Sequence, residues 1–120
     1  MSTEIMMSAP ALDTIFEVLS ERRKRHLLYA LYRAEGKSLP IHQLATRMIE
    51  IEGERVLDEK QSERVVDEIR RRHVPELEAV GLIEYDDRSE TVRYRKTPSL
   101  EEWLEHAEYK EGKRPDVSRV

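Results

Sequence analysis

The sequence predicts a mainly α-helical chain with one small β-hairpin, an α+β fold, and three observations carry that prediction. Apolar residues recur at helical spacing in five stretches between Pro10 and Ala107, four of them at i, i+3, i+4 and i+7. Gly36, Gly53 and Gly81 fall at or just past the ends of three of those stretches. After Gly81 the period changes to two, with Val92 and Tyr94 alternating with Arg93 and Arg95 across a polar turn.

Each element has its own signal. Leu12, Ile15, Phe16 and Leu19 share one helical face, so Pro10 to Leu19 reads as a short amphipathic helix with Ser8 as cap and Pro10 in its first turn. Ser20 is expected to cap a second helix carrying Leu27, Ala30, Leu31 and Ala34, which Gly36 stops. After an extended Lys37 to Leu39, Pro40 opens a third helix with Ile41, Leu44, Ala45, Met48 and Ile49 on its buried face. The segment Ile51 to Gln61 breaks the pattern, and Ser62 is the expected cap of a fourth helix with Val65, Val66, Ile69 and His73 on one side. Val74-Pro75 should kink or restart that helix, and Leu77 and Val80 carry its stripe to Gly81. Leu82 to Tyr85 and Thr91 to Lys96 are the hairpin strands, joined by Asp86 to Glu90. Pro98-Ser99 begins a last helix with Leu100, Trp103, Leu104 and Ala107 in register. A helix that stops at Gly81-Leu82-Ile83 and feeds a two-stranded hairpin is the back half of a winged helix-turn-helix. The expected organisation is a flexible N-terminus (1–9), a winged helix-turn-helix domain (10–97), a C-terminal helix (98–111) and a flexible tail (112–120).

Length and composition narrow the function. With 120 residues one core can be buried without staples, and the absence of cysteine excludes a disulfide framework and any thiol chemistry. There is no signal-like N-terminus and no long apolar run, so the reading is a cytoplasmic chain with no membrane partner. The formal charge of -4 argues against an acidic partner until its distribution is considered. Glu21 to Arg33 holds five basic residues against one acid and Lys60 to His73 five against three, whereas Ile41 to Glu59 has two against five. Charge is segregated, which leaves two basic regions for recognition. Arginine outnumbers lysine 15 to 6, a bias resembling that of proteins from salt-loving archaea.

The element order, with LSERRKRHLLYAL near the start and VPELEAVGLIEYDDRSETVRY near the end, resembles the ArsR-like winged-helix superfamily. More closely it resembles an uncharacterised winged-helix domain family of halophilic archaea. The likeness spans about Leu12 to Thr97, and its most telling pieces are Leu19 to Arg23, Ser38 to Ala45 and Arg72 to Leu77 running into Gly81 to Tyr85. It implies a winged-helix fold and a role in transcription. It transfers no catalytic or ligand residues. Metal-sensing members of the superfamily carry cysteines in the recognition helix; this chain has none, and His26, His42, His73 and His106 lack short ligand spacing. Neither a metal nor a cofactor is expected.

The candidate DNA-binding residues are Arg64, Arg70, Arg71 and Arg72 on the fourth helix and Arg88, Arg93, Arg95 and Lys96 on the hairpin, since guanidinium groups match phosphate and guanine edges. The alternative for the helical arginines is a solvated face paired with Asp67, Glu68 and Glu76. Arg22, Arg23 and Arg25 form an additional basic patch. Leu12, Ile15, Phe16, Leu100, Trp103, Leu104 and Ala107 are candidates for a homodimer interface between terminal helices. No nucleophile elbow, P-loop or glycine-rich cradle occurs, and enzymatic activity is not expected. The expectation is a homodimeric regulator binding double-stranded DNA, and the alternative is a winged helix used for protein-protein contact.

Overall fold

The computed structural model describes residues 10–53 and 58–114. The cap expected at Ser8, the segment 1–9, residues 54–57 of the third interval and the tail from residue 115 lie outside the described residues. Helix α1 (Leu12–Leu19) is followed at once by α2 (Arg22–Arg33), a 3-10 turn (Glu35–Lys37) and strand β1 (Ser38–Pro40). Then come α3 (Ile41–Glu52), α4 (Glu59–Glu68), a π turn (Ile69–His73) and α5 (Val74–Ala79). Strands β2 (Ile83–Asp86) and β3 (Thr91–Tyr94) and helix α6 (Pro98–Glu111) complete the order. The result is mainly helical with a small antiparallel sheet. None of the described helices is long and apolar enough to cross a membrane.

Helix α2 is the centre of the molecule. Its stripe Leu27, Ala30, Leu31 and Ala34 is buried, and so are Lys24, His26, Leu28 and Tyr29 on its other sides. Helices α1, α3 and α6 and the sheet all pack on it. An apolar stripe alone would predict one covered face; the flanking helices cover the rest. Helix α6 joins the same core through Leu100 and Leu104, both fully buried, so it is part of the domain rather than an appendage.

Two expected caps are corrected. Ser20 is the C-terminal cap of α1, its hydroxyl donating to the Glu17 carbonyl at 2.7 Å, and Glu21 occupies the N-cap of α2 without a side-chain bond. Helix α4 begins at Asp58, not Ser62. The Asp58 carboxylate accepts from the Gln61 amide at 2.8 Å while the Gln61 side chain accepts from the Asp58 amide at 3.1 Å, a reciprocal capping box. The charge cluster that reads as a break thus contains the stronger cap.

Pro75 does not break its helix. Proline at 75 has no N–H to give the Arg71 carbonyl, and its ring would collide with that carbonyl in a regular ladder. The chain widens one turn earlier, the Val74 amide bonding to the Ile69 carbonyl five residues back, and helical dihedrals continue through His73 and Val74. The expected kink or restart takes the form of a π turn, after which α-helix resumes at Val74. The helix then ends in a Schellman motif: Gly81 at φ 79° donates to Glu78, and Leu82 donates to Leu77, both at 3.0 Å. Leu77 and Leu82 are fully buried against the same core, which directs the chain into β2.

The hairpin has a third strand beside it. Strand β1 pairs with β3 in the order β1-β3-β2, with Ser38 opposite Arg93 and Leu39 opposite Val92. Three residues were too short to signal a strand by alternation. Leu39, Ile83, Val92 and Tyr94 face the core, while Arg93 and Glu84, directly paired, face outward. At the turn Glu90 adopts φ 55°, and its carbonyl accepts from the Ile41 amide at 2.9 Å, fastening the hairpin to the first turn of α3.

Leu31 and Ile69 sit at 0% exposure on the two helices that organise this core. Truncating either to Ala should cost about 2–5 kcal/mol in denaturant unfolding, the range for a buried branched chain. Losses below about 1 kcal/mol would show that the site collapses around the deletion.

Candidate nucleic-acid interface

The open face of the α4–α5 helix is where exposed arginines concentrate. Arg64 projects from α4 into solvent and makes no ion pair among the described residues. Arg71, one of the most exposed side chains at 76%, holds Asp67 at 3.1 Å across one helical turn. Arg72 reaches Glu21 at 3.2 Å and lies 3.8 Å from Glu76. Such exposed pairs contribute about 0–1 kcal/mol each, so a phosphate can replace the carboxylate at little cost. Arg70 is the exception. It bridges to Glu90 at 3.1 Å and thereby ties the helix to the base of the hairpin turn.

A groove of about 420 Å³ runs between the first turn of α3 and α4, lined by His42, Glu63, Arg64, Val66, Asp67 and Arg70. Its mixed charge gives an edge that donates and accepts hydrogen bonds. His42 was not foreseen. Only its place in the first turn of α3, two residues after Pro40, could have pointed to it.

On the hairpin, Arg88 sits at the tip, its amide donating to the Asp86 carboxylate at 3.1 Å and its side chain exposed. Arg95 pairs with Glu84 at 3.0 Å. Arg93 and Lys96 are exposed and without a carboxylate partner among the described residues, but they lie toward the end of the sheet away from the tip. The eight candidate cations therefore divide by location: Arg64, Arg71 and Arg72 on the helix, Arg88 at the tip, Arg70 and Arg95 in structural pairs, and Arg93 with Lys96 apart.

The densest basic run proves to be internal. Arg23 donates to Glu52 at 2.9 Å and to Glu68 at 2.8 Å, joining α2 to the end of α3 and to α4. Lys24, 7% exposed, pairs with Glu21 and with Glu76 of α5. Arg25 forks onto Glu111 of α6 at 2.6 and 3.0 Å and also donates to the Leu19 carbonyl. That fork holds the Glu111 carboxyl down at about 2. Only Arg22 of this run stands exposed without a partner among the described residues. Arg23 and Arg25, expected as surface decoration or a nucleic-acid patch, are clasps.

Two histidines lie beneath the clasp. His26 is buried between Glu52 and Glu111, each 3.4 Å from one ring nitrogen. His73, also 1% exposed, has Glu68 at 3.6 Å and no hydrogen-bond partner for either ring nitrogen. Burial pushes its pKa below 6.5, with Arg72 and Lys24 adding to that direction and Glu68 opposing it. It is a core histidine whose burial favours the neutral form. Among the described residues no group of three His, Asp or Glu side chains is arranged to hold a metal ion.

The candidate dimer residues also divide. Ile15, Leu100 and Leu104 are buried in the chain's own core, which removes them from any interface, and Ala107 is half covered. Leu12, Phe16 and Trp103 remain exposed at 51%, 44% and 40%. Phe16 and Trp103 meet edge to face with centroids 5.1 Å apart, so α1 and α6 present one joint aromatic edge.

The site is thus a small helical domain's exposed arginine face, flanked by a hairpin pinned through Arg70 and Glu90. The chain belongs to a family described as a domain of unknown function, DUF7344, whose model matches residues 16–93, from α1 to the outer face of β3. No curated protein and no solved structure matches the chain.

Replacing Arg23 with Ala strands the Glu52 carboxylate, 3% exposed, beside a buried histidine. Thermal or urea unfolding should show a loss of about 3 kcal/mol, whereas Arg22→Ala should stay within about 0.5 kcal/mol. Equal effects of the two variants would mean that the clasp contributes nothing.

Proposed function

We propose that the chain is a winged helix-turn-helix domain that binds double-stranded DNA and acts in transcription by occupying its site. The observation that carries this reading is the element order α2, β1, α3, α4, hairpin, with the first strand paired beside the hairpin in the order β1-β3-β2. That order supports the winged-helix reading. Under it, α4 is the recognition helix, with Arg64, Arg71 and Arg72 toward the major groove, and the turn carrying Arg88 is the wing that touches flanking backbone. The Arg70–Glu90 pair then keeps helix and wing at a fixed separation. A cytoplasmic site of action follows from the reading, as does the regulatory role that the sequence resemblance implies.

A second reading has its own support. Arg70, Arg71, Arg72 and Arg95 each hold a carboxylate, and the net charge is -4, so the face is a patchwork rather than a single positive field. A protein partner with interleaved charges would suit it.

Duplex binding measured against salt separates the two. On the DNA reading, log affinity falls linearly with log salt at about -0.9 per neutralised phosphate. Arg64→Ala, Arg71→Ala and Arg72→Ala together should flatten that slope and weaken binding while stability stays within about 1 kcal/mol. A wild-type chain that binds no duplex at low salt favours the protein-contact reading.

We propose further that DNA binding uses a homodimer built on the aromatic edge of Leu12, Phe16 and Trp103. Paired edges of terminal helices would set two recognition helices about one DNA turn, roughly 34 Å, apart. Light scattering should then give a dimer for the wild type and a folded monomer for Trp103→Glu. A wild type that is monomeric at tens of micromolar rejects the dimer.

A further inference from the structure

The structure places Lys37 beside Arg93 and Lys96 in a depression of about 610 Å³ at the end of the sheet remote from the hairpin tip, with Tyr32, Gly36 and Glu101 completing its wall. We infer that this depression is a phosphate-binding site, separate from the arginine face of α4.

Charge is the first support. Three cations line the hollow against one carboxylate, and that carboxylate is committed: Glu101 accepts the Tyr94 hydroxyl at 3.0 Å. Of the acids around it, Glu84 stands opposite Arg93 in the sheet but is bonded to Arg95, and Glu105 accepts the Tyr32 hydroxyl. Arg93 and Lys96 therefore keep no carboxylate among the described residues, unlike Arg95 beside them. Cations left unneutralised around a hollow create a field that an anion satisfies.

Backbone conformation is the second support. Gly36 and Lys37 both adopt positive φ, 70° and 53°. Glycine accepts this freely; lysine does not, because its Cβ crowds the carbonyl. The strain fixes where the lysine goes. Its ammonium lies 4.6 Å from the centroid of the Tyr32 ring and donates to the Tyr32 carbonyl at 3.1 Å, which leaves its remaining donors facing the hollow. Strained residues at a ligand clamp are preorganised, and a lysine that needs no reordering loses less entropy on binding. A guanidinium fork from Arg93 and point charges from Lys37 and Lys96 suit a tetrahedral dianion better than a planar carboxylate.

The phosphate can belong to a small molecule or to a nucleic-acid backbone, and one experiment distinguishes these. Backbone amide NMR of the full chain is followed during titration with inorganic phosphate and pyrophosphate, at constant ionic strength maintained with chloride. Saturable shifts at Lys37, Arg93 and Lys96 are expected, with a dissociation constant on the order of 1 mM. Lys37→Asn removes the charge while keeping a residue that tolerates left-handed backbone, and Arg93→Gln removes the fork. Each should weaken pyrophosphate binding about tenfold, the effect of one lost charge-assisted hydrogen bond, without unfolding the chain. Shifts that stay linear with concentration, or undiminished binding in both folded variants, would overturn the site. A short duplex then identifies the source. If the duplex moves the same three amides, the phosphate is that of the backbone; if it moves only the Arg64 face, the phosphate is carried by a small molecule. A chain that binds no duplex defeats the DNA reading but leaves the pyrophosphate result standing.

Discussion

The rest of the structure depends on the neutralisation of the first turns of α2. A run of four cations at a helix N-terminus opposes the helix dipole, and burying Lys24 and His26 there adds a desolvation cost. The cost is met by carboxylates from every neighbouring helix that reaches this end: Glu52 from α3, Glu68 from α4, Glu76 from α5 and Glu111 from α6. Each is drawn in by the same cationic end. Arg33 repeats the device at the other end by holding Glu108, 1% exposed, on α6. The apolar core gives cohesion without direction, and this radial set of pairs fixes which helix sits against which side of α2.

That constraint explains what the sequence concealed. The helical stripes of α2, α3 and α6 and the alternation of β3 were legible because burial imposes its period directly on residue type. The caps were not, since Ser20 and Ser62 look like better capping residues than Glu21 and Asp58, and only the Gln61 amide shows which serves α4. The fate of the basic run was also hidden. Arg22, Arg23, Lys24 and Arg25 look alike in sequence, and the roles of Arg23 and Arg25 are set by acids 29 to 86 positions away that no local pattern connects. The exposed arginines of α4 and the hairpin could be named from spacing, whereas their division into free and paired members required tertiary geometry. Strand β1 was legible only as an extended segment, because its pairing exists only where β3 lies beside it.

The two surfaces proposed as functional lie mostly outside this network; Arg72 is the exception, since it shares Glu21 and Glu76 with Lys24. A cation that stabilises the fold cannot be withdrawn to meet a ligand without loss, so recognition is left to side chains whose partners are weak or absent. Arg64, Arg71 and Arg88 meet that condition on one side of the molecule, and Arg93 and Lys96 on another. Arg70 connects the two kinds of role. Its link to Glu90 joins the helix to a hairpin whose turn is itself bonded to α3, so a push on the turn is felt at α4.

The π turn at Ile69–His73 bears on how length variation can be accommodated here. A π turn is an α-helix carrying one additional residue, and successive α-helical residues are rotated by about 100°. Removing a residue between Glu68 and Val74 would let the wide turn close to a regular α-helix, and Leu77 would keep its phase relative to Arg64. The cost would fall on Pro75, whose ring meets the ladder that the wide turn avoids. The five residues of that turn are therefore a slack link between the arginine face and the hairpin, the one place in this helix where a residue can be gained or lost without turning either end.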